Sequence, residues 1–306
     1  MQKLYASICK NLREFEDQKI KQWEQGVEES TEDKLNQFLL HREESDQVEE
    51  GYLKVNFDPV LVRLLREVKY LSLLDIDVPE RASKLYQKVN VYRSQTGNLE
   101  LIVNMYNEIL ATLLPVEKPL LADRIDRINK ALQPGIDQLR WNSPNIDPFI
   151  NQCMMIVKEV DELVKKMKEN VKKMQEMMTK WEKSLFERRN KPMPPDDLEQ
   201  THQSTVMPRL EEIRNNGKEI HRLMKDTADN IKPDKKSITW LAYVDYVNGL
   251  VIEGITRGIN GSMNYLSDQI NIHFNKHHQL PPMFDIKVEL RDREVKFDPP
   301  IESTIR

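Results

Sequence analysis

Between residues 164 and 185 the apolar side chains Val164, Met167, Val171, Met174, Met178, Trp181 and Leu185 recur at spacings of 3, 4, 3, 4, 3 and 4. Strand side chains alternate every second residue, so this period excludes a strand; on an α-helix it draws one stripe through three heptads. The residues between are charged. Lys165, Lys166, Lys168, Lys172 and Lys173 alternate with Glu162, Glu169 and Glu176, which reads as a solvated exterior with pairs such as Glu162–Lys166 and Glu169–Lys173. Asp147-Pro148 supplies a start signal, and a helix is predicted from about 148 to 189. Counted back from Val164, the register reaches Asp161 where an apolar residue is due, so the seam is expected to lapse there. The methionines, with Met154 and Met177, read as core filler.

The same start device occurs at Asp58-Pro59, where a carboxylate can cap orphan amides and the proline needs no donor. Behind it Val60, Leu64, Val68 and Leu71 are predicted to form the core face of a helix, widened by Leu61 and Leu65. Further helices are expected from Pro79 to about Ser94, from Leu99 to Leu113 after a turn at Thr96-Gly97-Asn98, and over Leu120–Leu132 before a bend at Pro134-Gly135. An N-terminal helix with Leu4, Ile8, Leu12 and Phe15 on one face is predicted to end near Gly26, followed by an acidic connector from Glu28 to Glu50 that Gly51 breaks. Tyr52–Phe57 alternates as a short strand would. Lys191-Pro192-Met193-Pro194-Pro195 reads as a stiff linker, and Asp196 or Asp197 as the cap of a helix reaching Asn230 with a disturbance near Pro208. Ser237–Phe274 is predicted helical, and alternation over 284–297 allows a small hairpin.

Charged residues make up 31% and hydrophobic ones 39%, with only 9 glycines, which favours long amphipathic helices over a sheet-based fold. A formal net charge of −4 offers no basic face for nucleic acid. Cys9 and Cys153 form no disulfide framework, so a reduced cytosolic setting is expected. The first residues carry charge too early and lack the apolar run of a signal peptide. The most apolar window, Ile238–Leu266, is interrupted by Asp245, Glu253 and Arg257, so a buried helix is expected rather than a membrane span.

Catalytic chemistry finds no foothold. The only Gly-Lys, Gly217-Lys218, is followed by Glu219 and preceded by Glu212 where a phosphate loop needs its first glycine. His273 and His277 are spaced for one helical face, with His278 beside them, but no spacing supplies a third metal ligand; a solvated helix end is the reading. No catalytic, cofactor-binding or metal residues are assigned. Gly254 and Gly258, at G-x-x-x-G spacing, are read as a place where another backbone packs closely.

The strings NFDPVLVRLLREVKYL, DVPERASKLYQKVNVYRSQTGNLELIVNMYNEIL, LLPVEKPLLADRIDRINKAL, LRWNSPNIDPFI and PPMFDIKVELRDREVKFDPP carry a resemblance. From about Tyr52 to Ser303 the chain resembles the N-terminal tail, or stem, of dynein heavy chains, in particular the axonemal ones. The resemblance implies a part of an ATP-driven microtubule motor that lacks the motor itself and is therefore not an enzyme. It implies other dynein heavy chains, intermediate chains and light chains as partners, neither nucleic acid nor membrane, and a place in the cytoplasm, cytoskeleton and ciliary axoneme. The ending Thr304-Ile305-Arg306, without a cap, reads as a truncation.

The expected fold is all-α: an elongated array of stacked helical bundles, with one long helix (about 148–189) and a small β-hairpin at 284–297. Four regions are expected: an N-terminal helix and acidic connector (1–50), a helical tail bundle (51–190), a second helical bundle (191–280), and a hairpin with the C-terminal end (281–306). The expected function is structural, namely dynein assembly and force transmission in ciliary movement. A second reading is a cytosolic coiled-coil adaptor that dimerises through the 164–185 seam.

Overall fold

A computed structural model describes residues 2–45, 48–186, 200, 202–270, 287–291, 293–298 and 300. The 191–195 linker, the caps at Asp196 and Asp197, the histidines His273, His277 and His278, and the final six residues lie outside that set. The chain forms two compact units, Met1–Val164 and Lys165–Arg306.

The first unit is helical around one small hairpin. It contains α1 (Gln2–Leu35), β1 (Leu40–Ser45), β2 (Val48–Val55), α2 (Pro59–Leu73), α3 (Glu80–Gln87), α4 (Val89–Thr112), α5 (Ala122–Asp137) and the first half of α6 (Ile146–Trp181). The Asp58 cap forms as expected, its Oδ1 accepting from the Val60 amide at 2.7 Å ahead of Pro59. Asp147 does not cap. Helix α6 begins at Ile146, two residues ahead of the expected start at Pro148, so Asp147 lies inside its first turn and accepts from Gln95 Nε2 at 2.9 Å.

Three predicted interruptions are helix instead. α1 passes through Gly26 to Leu35, because Val27 is buried and Trp23 Nε1 donates to Glu67 of α2 at 2.8 Å. α4 passes through Thr96-Gly97-Asn98, since Tyr92, Gln95, Leu99 and Ile102 continue one buried stripe across the turn signal. α5 passes through Pro134-Gly135 to Asp137. A Cβ on Gly135 would stand 2.8 Å from Phe149 Cζ and 3.0 Å from Leu40 Cδ1, so the glycine serves close packing there, not a bend.

The acidic connector is the largest correction in this unit. Its second half is the antiparallel β1–β2 pair, in register from Leu40 opposite Val55 to Ser45 opposite Val48. The register shifts between Glu43 and Ser45, and Gly51 answers it with a φ of +71°. Leu39, Leu40 and Leu53 bury fully under the charged exterior. Asn107 of α4 seals the strand edge: its Oδ1 accepts from the Leu53 amide at 3.1 Å, and its Nδ2 donates to the Leu53 carbonyl at 2.9 Å. Trp141 closes the core nearby, donating from Nε1 to the Asn56 carbonyl at 2.6 Å with its ring edge-on to Phe57.

The second unit contains the remainder of α6, α7 (Met207–Ile231), α8 (Ile238–Ile270) and the hairpin β3 (Lys287–Arg291)–β4 (Glu294–Asp298). A π-helical turn at His202–Val206 precedes α7, which accounts for the disturbance expected near Pro208. The hairpin pairs Val288 with Phe297 and Leu290 with Val295. α6 ends at Trp181, short of the expected 189.

Candidate packing seam and interaction surfaces

Every helical member of the predicted seam is buried: Val164, Met167, Val171, Met174, Met178 and Trp181. Leu185, beyond the end of α6, is half-buried. The seam does not lapse at Asp161. The spacing before Val164 is 4, which selects Val160, and the stripe continues through Val157, Cys153 and Ile150 to Ile146, all buried. Asp161 lies beside that stripe, itself buried.

In the second unit the seam meets two kinds of surface. Midway, buried Asn170 donates from Nδ2 to Thr227 Oγ1 and to Asp226 Oδ2 of α7, both at 3.0 Å, while Thr227 Oγ1 donates to the Leu223 carbonyl at 3.0 Å. This polar layer fixes register, because sliding either helix would strand buried donors and acceptors. At the far end, the small residues of α8 receive the end of α6. A Cβ on Gly254 would stand 3.0 Å from Met178 Cβ, one on Gly258 2.6 Å from the Trp181 carbonyl oxygen, and one on Gly261 2.7 Å from the Glu182 carbonyl oxygen. Ser262 adds a latch: its Oγ accepts from the Leu185 amide and donates to the Gly258 carbonyl, both at 3.1 Å. Arg257 reaches Glu182 at 3.5 Å, and Phe186 stacks on Tyr265.

The charged exterior of α6 is as read, with one of the two expected pairs kept and the other exchanged. Lys173 pairs with Glu169 at 2.7 Å, whereas Glu162 faces Lys158 at 4.0 Å. In the first unit Glu159 accepts from Arg127 at 3.2 Å and from Arg124 at 3.5 Å. Gly217 sits in the middle of α7, where no loop is available to wrap a phosphate. The α8 window, expected to be buried, is two-faced. Trp240, Tyr243, Val247, Gly254 and Ser262 face inward, while Ile252, Ile255, Ile259 and Met263 are exposed. Among the described residues no helix is long and apolar enough to cross a membrane, and no three His, Cys, Asp or Glu side chains group as a metal site.

On α2 the core stripe is rotated from the expected one. Leu61, Leu64, Leu65 and Val68 are buried, with Val60 and Leu71 half-buried at its flanks. The opposite side of α2 forms one wall of a groove of about 670 Å³. Val62, Arg66, Lys69 and Tyr70 line it from α2, and Asn90, Arg93, Gly97 and Glu100 from α4, over a floor of Phe57 and Tyr92. Sequence reasoning missed this groove, since each wall residue looks like an ordinary solvated helix position. On α1, the face of Leu4, Ile8, Leu12 and Phe15 is exposed by 50% or more at each residue.

Comparison with known proteins places this architecture. The family model described as "Dynein heavy chain, N-terminal region 1" matches residues 1–149. The chain is 32% identical over 98% of its length to the dynein beta chain of the flagellar outer arm of Chlamydomonas reinhardtii. It is 31% identical over 97% of its length to the ciliary dynein beta chain of Heliocidaris crassispina, and equally to dynein axonemal heavy chain 17 of Mus musculus. It spans only 6 to 7% of the length of these relatives. The family match begins at residue 1, ahead of the stretch from Tyr52 that carries the resemblance. On these alignments the chain belongs to the axonemal dynein heavy-chain family, as a segment of the N-terminal tail.

Proposed function

We propose that this segment is a non-catalytic assembly and force-bearing element of an axonemal dynein heavy-chain tail, working in the ciliary axoneme. Its partners there are other dynein heavy chains and the intermediate and light chains, and the motor to which it belongs moves along microtubules. The observation that carries the reading is the seating of α6 on α8, where glycine positions bring the Trp181 and Glu182 carbonyls against the partner helix. Close-packed interiors transmit strain with little compression, so helices seated this tightly act as a stiff joint. The alternative adaptor would need the same seam for a second molecule. Its side chains are already covered within one chain, which favours the tail reading.

The test is G258L in the full-length heavy chain of a ciliated cell, with the motor untouched. The expected outcome is reduced incorporation of that heavy chain into axonemes and impaired beating. Normal incorporation together with a normal beat would sink the proposal.

A further inference from the structure

We propose that the α2–α4 groove binds an acidic polypeptide segment carrying apolar side chains between its carboxylates. The inference rests on the assembly reading only for the biological source of that segment; the chemistry stands on the groove itself. Three cations, Arg66 and Lys69 on α2 and Arg93 on α4, line it from both walls, and among the described residues none is in a hydrogen bond or ion pair. Elsewhere on this surface arginine and lysine are commonly paired, as in Arg63–Glu67 and Lys84–Glu80. A single carboxylate, Glu100, also lines the groove, leaving a formal excess of two positive charges (three minus one). In a chain of net charge −4 that local sign is reversed, and charge complementarity selects an anionic ligand.

The remaining lining selects a polypeptide over a bare polyanion. Val62 and Tyr70 are exposed by 45% and 57%, and Phe57 and Tyr92 supply an aromatic floor; these surfaces suit aliphatic and aromatic side chains. Gly97 gives the groove a position that can be filled for a test. It lies inside α4 with an ordinary helical backbone, and a Cβ there would meet nothing within 4 Å. Neither packing nor backbone conformation demands glycine, although glycine weakens a helix interior relative to alanine. A larger side chain at 97 would enter the groove from the α4 wall without a clash.

The test uses the full 306-residue chain and a display library of random peptides of about 12 residues, enough to span a groove of this kind in extended form. The expected result is enrichment of peptides with Asp or Glu flanking Leu, Ile, Phe or Tyr. A synthetic peptide of that consensus should lose about tenfold or more in affinity to R66E/R93E, and lose affinity as salt rises from about 0.05 to 0.5 M. G97L plugs the groove with a good helix former; it should abolish binding while leaving the thermal unfolding midpoint unchanged or higher. Absence of enrichment, a neutral or basic consensus, or affinity indifferent to both R66E/R93E and G97L would overturn the proposal. So would equal binding of inorganic polyphosphate at the same residues, which would make the groove a general anion site. Because this readout is made in vitro, a positive result beside normal axonemal incorporation of G258L would retire the assembly reading and leave the groove standing.

Discussion

Whether a glycine stabilises or weakens this chain depends on what stands beside it. Gly258 faces the Trp181 carbonyl at a distance no real Cβ tolerates, whereas a Cβ on Gly249 of the same helix would meet nothing within 4 Å. G258A is therefore expected to cost about 1–3 kcal/mol, since the clash is with backbone that cannot step aside. G249A is expected to gain up to about 1 kcal/mol from helix propensity alone. Urea denaturation of the pair decides whether close approach or propensity governs α8. Asp58→Ala removes the cap on α2 and should cost about 1 kcal/mol by the same measurement. Cys153 is a second residue whose chemistry follows from its surroundings. Burial pushes its thiol up to about 12 from an ordinary 9.0, and its Sγ lies 3.2 Å from the Ala131 carbonyl. In the folded chain it should resist thiol reagents near neutral pH while the half-exposed Cys9 reacts; comparable rates for both would contradict that burial.

Among elements, α6 carries the clearest consequence. Met174 is fully buried in the seam, so Met174→Asp takes a carboxylate out of water into the buried stripe. The expected outcome is a loss of roughly 3 kcal/mol or more, seen as an early unfolding transition. The adaptor reading predicts something different, a folded monomer in place of a dimer. Sedimentation of native chain and variant separates the two. The hairpin β1–β2 makes the complementary point. The end of β2 was legible in the alternation after Tyr52, but β1 and the start of β2 are rich in Glu and read as a solvated connector, because the burial of Leu39 and Leu40 and the donation from Asn107 come from residues distant in sequence. A strand edge sealed by a side chain more than 50 positions away leaves no local trace.

For the whole molecule, pH dependence separates surface from interior. Hydrogen bonds from Lys54, Lys84, Lys173 and Arg222 hold the carboxyls of Glu43, Glu80, Glu169 and Glu219 below their ordinary 4.5. Folded values below the unfolded ones mean that this contribution is complete above about pH 4.5 and fades as pH falls further. All four carboxylates reach solvent, so the acid limb should be shallow and should shrink in high salt. Cys153 has the opposite sign: its raised value adds stability that is complete below about pH 9.0 and is lost as pH climbs towards about 12. Burial raises the Tyr92 phenol in the same direction. The exposed Lys130 is raised too, by its Asp126 partner, so the part of the alkaline limb that starts near pH 9 from Cys153 should resist salt while the part above about pH 10.5 should shrink with it. Melting temperature against pH at two ionic strengths tests both limbs, and an onset near pH 9 that shifts with salt would refute the assignment to buried Cys153.

What the sequence determined by itself was whatever repeats within a few residues. The 3-4 spacing specified the inner face of α6 from Val164 to Trp181, Asp58-Pro59 specified a helix start, and the idiosyncratic strings after Tyr52 pointed to a dynein tail. Tertiary structure decided the rest. It carried α1, α4 and α5 through their Gly and Pro punctuation, because buried stripes such as Tyr92–Gln95–Leu99 outweigh a local turn preference of about 1 kcal/mol. It turned an acidic connector into a docked hairpin and left three cations unpaired beside an empty glycine position. Local propensities are read from neighbours along the chain, whereas burial, close approach and pairing are set by groups that only folding brings together.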